Sequence, residues 1–198
     1  LDLGVQLTAA RQQAAGEMAE NLTKGLQELG MPSVQIHFEF TARTRPDSSG
    51  CDAVRFLFTA NKQMPLQDVA QTASGGEIAR VMLTLKALIA QKRNLPTIIF
   101  DEIDTGVSGT MAERMGRVMQ RMGQSAQVLC ITHLPQIAAL GKVHFWVHKQ
   151  ENDTGTTSNI RALSADERVQ EIANMLSGAA ITEAALTNAR QLLDEGAQ

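Results

Sequence analysis

Leu3, Leu7, Ala10, Ala14, Met18, Leu22, Leu26 and Leu29 recur at steps of three and four in a stretch without proline, which predicts one long amphipathic helix over residues 1–29. Its flanks are polar but weakly charged, a pattern that fits the end of a coiled coil or a helix packed on the domain that follows. Gly30-Met31-Pro32 stops it. Val34-Gln35-Ile36-His37-Phe38-Glu39-Phe40 then alternates apolar and polar with the period of a half-buried strand. The polar stretch Arg43 to Gly50 holds Pro46, Ser48 and Ser49 and reads as a mobile loop, with Val54 to Phe58 as the antiparallel partner strand.

From Ser74 the period returns to that of a helix, with Ile78, Val81, Met82, Leu85, Leu88 and Ile89 as its apolar face. Pro96 leads into a strand over Thr97 to Phe100, and Val128 to Ile131 reads as another short buried strand. Between them Met111, Met115, Val118, Met119 and Met122 form a helical stripe that belongs to the core, where flexible thioethers fill irregular gaps. Phe145 to Val147 and Asn159 to Leu163 read as strands around a polar turn near 152–155. Helices follow over Ala165 to Leu176 and Thr182 to Leu193, separated by Gly178. The sum is an α/β chain, a class that places its ligand crevices at the C-terminal ends of the strands.

Composition changes this picture little. With 43% hydrophobic and 20% charged residues the 198-residue chain has the make-up of a compact body, one domain or one plus an appendage. A formal charge of −3, with no lysine or arginine run, gives no electrostatic footprint for nucleic acid. The apolar stretches fall short of the ~20 residues a bilayer needs, and no secretion signal opens the chain, so no membrane role is expected. Cys130 lies inside an apolar run and Cys51 is its only possible mate, which favours buried thiols and a reducing cytoplasm over a disulfide.

The candidate chemistry lies where strands and helices meet. Ser74 and Glu77 have the spacing of a reciprocal capping box, yet Gly75 and Gly76 between them remove side chains where amides point outward at a positive helix end, which also suits a phosphate. Asp101 and Glu102 follow the strand that ends at Phe100. Asp101 there suits a magnesium ion, held through water, and Glu102, on the other side of the strand, can orient or deprotonate an attacking water. The plainer alternative is a solvated acidic turn, with Asp104 or Ser108 capping the methionine helix. Thr132-His133 sit past the next strand, where a histidine can sense a terminal phosphate or serve structure alone. Nowhere does a Gly-x-x-x-x-Gly-Lys-Ser/Thr loop appear, the element whose amides and lysine cradle nucleotide phosphates.

Ala73 to Glu77, Ile98 to Gly109 and Ile131 to Ala138, with Phe58 to Lys62 before them, resemble the signature, Walker B with D-loop, and switch-histidine segments of the RecN family. These are bacterial DNA repair ATPases related to SMC proteins and the ATP-binding cassette superfamily, and the resemblance covers essentially the whole chain. A transporter cassette would usually carry glutamine in place of Glu77. The resemblance implies a split head: residues 1–29 as the C-terminal end of a coiled-coil arm, residues 30–198 as the C-terminal half of an ATPase head with a mainly parallel sheet, and the phosphate loop in an N-terminal half. It further implies that two protomers sandwich ATP. Ser74, Gly75, Gly76 and Glu77 would then serve the nucleotide held by the partner, Asp101 would assist Mg2+, and Glu102 would be the catalytic carboxylate. Asp104 would belong to the dimer-contacting loop and His133 would contact the terminal phosphate. Expected partners are the phosphate-loop half, a second protomer and DNA, with a cytoplasmic, nucleoid-associated location, and the chain alone should be inactive. Two other readings remain: a non-catalytic interaction module, and a metal-dependent phosphodiesterase built on Asp101, Glu102, Asp104 and His133.

Overall fold

The computed structural model describes residues 2–152, 155–178 and 180–197. The chain forms two compact units, Leu1–Pro96 with Thr105–Val107, and Thr97–Asp104 with Ser108–Gln198.

The first unit begins with helix α1 (Asp2–Glu28), followed by the antiparallel strands β1 (Gln35–Asp47) and β2 (Gly50–Thr59). The apolar stripe of α1 splits. Leu22 and Leu26 are buried, with Leu29 just beyond the helix, whereas Leu3, Val5 and Leu7 are exposed. Toward its N-terminus α1 meets the hairpin through small and polar groups instead. Thr8 donates to Asp52 Oδ1 at 2.6 Å, Arg11 Nη1 lies 3.1 Å from Asp52 Oδ2, and a Cβ on Gly4 would strike Cys51 Sγ. The Thr8 hydroxyl, with Arg11 and Arg43 behind it, holds the Asp52 carboxyl below the ordinary aspartate range.

The hairpin corrects the loop expected over Arg43 to Gly50. Strand β1 runs on to Asp47, with a register irregularity between Ala42 and Asp47, and only Ser48 and Ser49 turn. Asp47 supplies the turn chemistry, accepting from the Ser49 amide at 2.7 Å and pairing with Arg43, while Gly50 takes φ +112°, and the irregularity tolerates Pro46. Phe38 and Phe56 stack across the strands at 5.1 Å. Strand β3 (Gln67–Asp68) and helix α2 (Val69–Thr72), too short for any periodicity, follow.

Helix α3 (Gly75–Arg93) completes this unit, with Leu26, Met31, Val34, Phe58 and Val81 forming its core. The predicted apolar face of α3 is only partly the buried one. Val81, Leu83, Thr84 and Ala90 are buried, whereas Ile78, Met82 and Ile89 are exposed. The helix is apolar around most of its circumference, so its pattern does not single out one face. Thr84 fits against Gly25 of α1, where a Cβ would come within 2.5 Å of the threonine methyl.

The second unit is built on strand β4 (Thr97–Asp101), helix α4 (Thr110–Met122) and strand β5 (Gln127–Ile131), with β4 and β5 parallel and in register from Thr97↔Gln127 to Asp101↔Ile131. The methionine stripe is core as expected: Met115, Met119 and Met122 are buried, and so are Ala112 and Gly116 on the same helix. Each strand alternates rather than being buried throughout. Ile98 and Phe100 face inward, and Ile99, Leu129 and Ile131 face outward.

Helix α5 (Pro135–Ala138), the antiparallel pair β6 (Phe145–Asn152) and β7 (Gly155–Ala162), and helices α6 (Ala165–Ser177) and α7 (Glu183–Ala197) follow. Residues 153 and 154 of the expected polar turn lie outside the described residues. Ser164 and Glu167 cap α6 reciprocally, Gly178 ends it at φ +72°, and Ala139, Ile172, Ala173, Ala185 and Ala189 pack as one cluster. On the hairpin, Phe145, Val147 and Ile160 share an exposed face.

Candidate functional site: two strand ends and a helix start

In the first unit, Ser74 caps α3. Its hydroxyl lies 3.4 Å from the Glu77 amide, and Glu77 Oε2 accepts from the Ser74 amide and hydroxyl, each at 2.8 Å. The capping box is therefore realised, and Glu77 serves it. The two glycines differ in what requires them. A Cβ on Gly76 would stand 3.1 Å from the Gly106 carbonyl oxygen, so internal packing demands a small residue there. At Gly75 a Cβ would meet nothing within 4 Å among the described residues, and the residue is exposed, so no described neighbour accounts for the missing side chain.

In the second unit, the register of β4 with β5 sets Asp101 opposite Ile131, so the carboxylates and Thr132-His133 emerge from adjacent strand ends. Asp101 and Glu102 are both exposed. The pleat does not carry Glu102 to the opposite, buried side, because Glu102 has left the strand: its φ is +48°, and its amide donates to the Ile131 carbonyl at 3.3 Å. A left-handed glutamate costs roughly 1–2 kcal/mol, and such strain concentrates at functional turns.

Asp104 and Ser108 do not cap α4, whose N-cap is Gly109 without a side-chain bond. Asp104 instead turns inward, fully buried, where its Oδ2 accepts the Thr132 hydroxyl and stands 3.7 Å from His133 Nδ1. The His133 side chain is 69% exposed. Burial, reinforced by the Asp104 charge, pushes the Cys130 thiol up to about 11, so it stays protonated at neutral pH; Cys130 and Cys51 are both free thiols.

Asp101 and Glu102 thus stand at the end of β4, beside the end of β5 where Asp104 meets Thr132 and His133, and Ser74, Gly75, Gly76 and Glu77 form their own site in the first unit. The sequence pattern concealed the inward turn of Asp104. The signal that points to its partner is the Thr132 hydroxyl beside the histidine, since threonine hydroxyls recur as turn-formers. No helix among the described residues is long and apolar enough to cross a membrane. Nor do three histidine, cysteine, aspartate or glutamate side chains among them gather where a metal ion could be held. A single exposed carboxylate such as Asp101 suits Mg2+ better, since that ion is commonly held by one or two carboxylates plus substrate phosphates.

Comparison with solved structures identifies the fold. An Smc head domain with a coiled coil and joint derived from Pyrococcus yayanosii matches at TM-score 0.62 and 17% identity, covering 96% of this chain and 30% of that one. A chain from work on ATP-driven dimerization and DNA-stimulated activation of SMC ATPases matches at TM-score 0.60 and 16% identity, covering 87% and 99%. The chain therefore has the fold of an Smc head domain, α/β with an N-terminal helix.

No family model matches the chain. Individual sequences do. The DNA repair protein RecN of Haemophilus influenzae is 40% identical over 189 residues, covering 95% of this chain and 34% of that protein. RecN of Deinococcus radiodurans is 40% identical over 193 residues, covering 98% and 34%. Over nearly its whole length the chain is similar to these RecN proteins, and it spans about a third of the length of these curated relatives.

Proposed function

We propose that this chain is the C-terminal part of a RecN-like ATPase head, acting in DNA repair and contributing half of the chemistry of ATP hydrolysis. The observation that carries the reading is the strand edge at which exposed Asp101, the left-handed Glu102 turn and exposed His133 stand on adjacent strand ends. Asp101 would hold Mg2+, which when bound supplies positive charge to the phosphate oxygens. Glu102 orients the attacking water and accepts its proton, and His133 contacts the terminal phosphate.

Ser74, Gly75 and Gly76 offer backbone amides and a hydroxyl to the terminal phosphate of ATP held by a second protomer, with Glu77 keeping that turn in shape. Open space at Gly75 supports this role, because a glycine that no described neighbour requires fits a surface that a ligand approaches closely. The phosphate loop comes from an N-terminal half of the head, and residues 1–29 are the returning end of a coiled-coil arm. Exposed Leu3, Val5 and Leu7 suit a helix that meets a second helix, and exposed Ile99, Leu129 and Ile131 suit a strand pair covered by that other half. DNA is met by the complete protein, in the cytoplasm at the nucleoid. A phosphodiesterase would need Asp104 among its metal ligands, and Asp104 is buried against Thr132.

Mixing two inactive variants of the complete protein tests the shared site. Gly75→Asp places a negative charge at the phosphate approach without a clash, and Glu102→Gln removes the base. Each alone is expected to be inactive. An equal mixture recovers about a quarter of the parent rate, since half of the pairs are mixed and each then holds one intact site. A mixture as inactive as its components would contradict the shared arrangement.

A further inference from the structure

Asp104 is the one buried carboxylate on the strand edge, and its surroundings give it a specific task. Burying a carboxylate is unfavourable unless hydrogen bonds compensate, yet Asp104 Oδ1 makes none among the described residues. Its Oδ2 is committed to the Thr132 hydroxyl. Thr132 Oγ1 in turn accepts from the Leu134 amide at 3.0 Å. Two hydrogen bonds in series thus run from carboxylate to hydroxyl to amide, and they fix the residues on either side of His133. The same Oδ2 lies at ion-pair distance, 3.7 Å, from His133 Nδ1. Backbone and ring are therefore governed from one point, although the His133 side chain itself stands largely in solvent.

We infer that Asp104 is a positioning residue for His133, acting through the Thr132 hydroxyl on the 132–134 turn and directly on the Nδ1 side of the ring, so that the opposite ring edge faces outward. This rests on the reading of His133 as the group that meets the terminal phosphate. It assigns Asp104 an internal role in its own protomer rather than a contact with the partner, and it makes Thr132 part of the same device. The burial follows from that role. A carboxylate in solvent would hold neither the hydroxyl nor the ring in one direction, because water competes for both.

The test uses the complete protein. Asp104→Asn removes the charge with little change of shape, and Thr132→Val removes the hydroxyl at nearly constant volume, which keeps the inference testable should the first variant fold poorly. Each is expected to lower kcat about 10- to 100-fold, as loss of an orienting partner does, while the KM for ATP moves less than about threefold. Thr132→Ser, which restores the hydroxyl, should regain most of what Thr132→Val loses. In a His133→Ala background the Asp104 and Thr132 substitutions should change kcat by less than about twofold, because their effect passes through the histidine. Hydrogen exchange of the Leu134 amide, which does not depend on turnover, should accelerate about tenfold or more in Thr132→Val.

Undiminished losses in the His133→Ala background, losses that reside in protomer association, or an unchanged Leu134 amide would overturn the inference. Retained hydrolysis in Glu102→Gln is a different result. It removes the ATPase reading itself, whereas the Leu134 exchange rate still reports whether Asp104 and Thr132 pin the turn.

Discussion

Glu102→Gln in the complete protein is expected to lower the rate of ATP hydrolysis by roughly 10²- to 10⁴-fold, the range for loss of a positioned general base, with ATP affinity nearly unchanged. Glutamine keeps the size and hydrogen-bonding reach of the side chain but cannot take up a proton, so the substitution isolates the chemical step. The backbone makes the comparison clean. Glu102 sits at φ +48° with its amide on the Ile131 carbonyl, and glutamine bears the same left-handed cost. Single-turnover hydrolysis beside an equilibrium nucleotide-binding measurement reads the two quantities apart. A variant that hydrolyses within tenfold of its parent would exclude Glu102 as the base.

The largest expected effect on stability lies one residue before the carboxylates. Phe100→Ala should destabilise the fold by about 3–5 kcal/mol, as removal of a fully enclosed aromatic ring generally does. Phe100 is 0% exposed. Ile99→Ala, on the opposite face of the same strand, should change stability by less than about 0.5 kcal/mol in this chain, because Ile99 is 57% exposed. A loss of that first size approaches the whole stability of many domains, so denaturant titration of Phe100→Ala should find little folded protein. Equal effects from the two substitutions would mean that the outward face is already covered in solution, as self-association would do.

The contrast between those neighbours also marks how much the sequence disclosed. Elements with a strong single period are legible, as in the long first helix and the methionine helix, while the strand after Pro96 shows as a short apolar run and the two closing helices are set apart by Gly178. Short elements such as β3, α2 and α5 offered too few residues to show any period. Pro46 and the serines dominate the local pattern and suggest a longer loop than the turn proper, which needs only Ser48 and Ser49. The sequence does not mark the buried face where apolar residues surround a helix, as in α3, or where an apolar run hides the alternation of a strand, as in β5.

Among the candidate residues, the capping box of Ser74 and Glu77 and the strand-end placement of Asp101 could be argued from spacing alone. The inward turn of Asp104 could not. It depends on a partner 28 positions away, Thr132, that no local pattern connects to it. The left-handed backbone of Glu102 was equally hidden, since nothing in the residue type announces a positive φ.

Whether this chain supplies one part of a split ATPase is decided by magnesium-dependent ATP hydrolysis, measured on the chain alone and after co-expression with a segment that carries the phosphate loop, each with a Glu102→Gln control. No turnover is expected from the chain alone, and the combined sample should show turnover that Glu102→Gln abolishes. Turnover by the chain alone, or none in a folded and associated pair, would contradict the split arrangement.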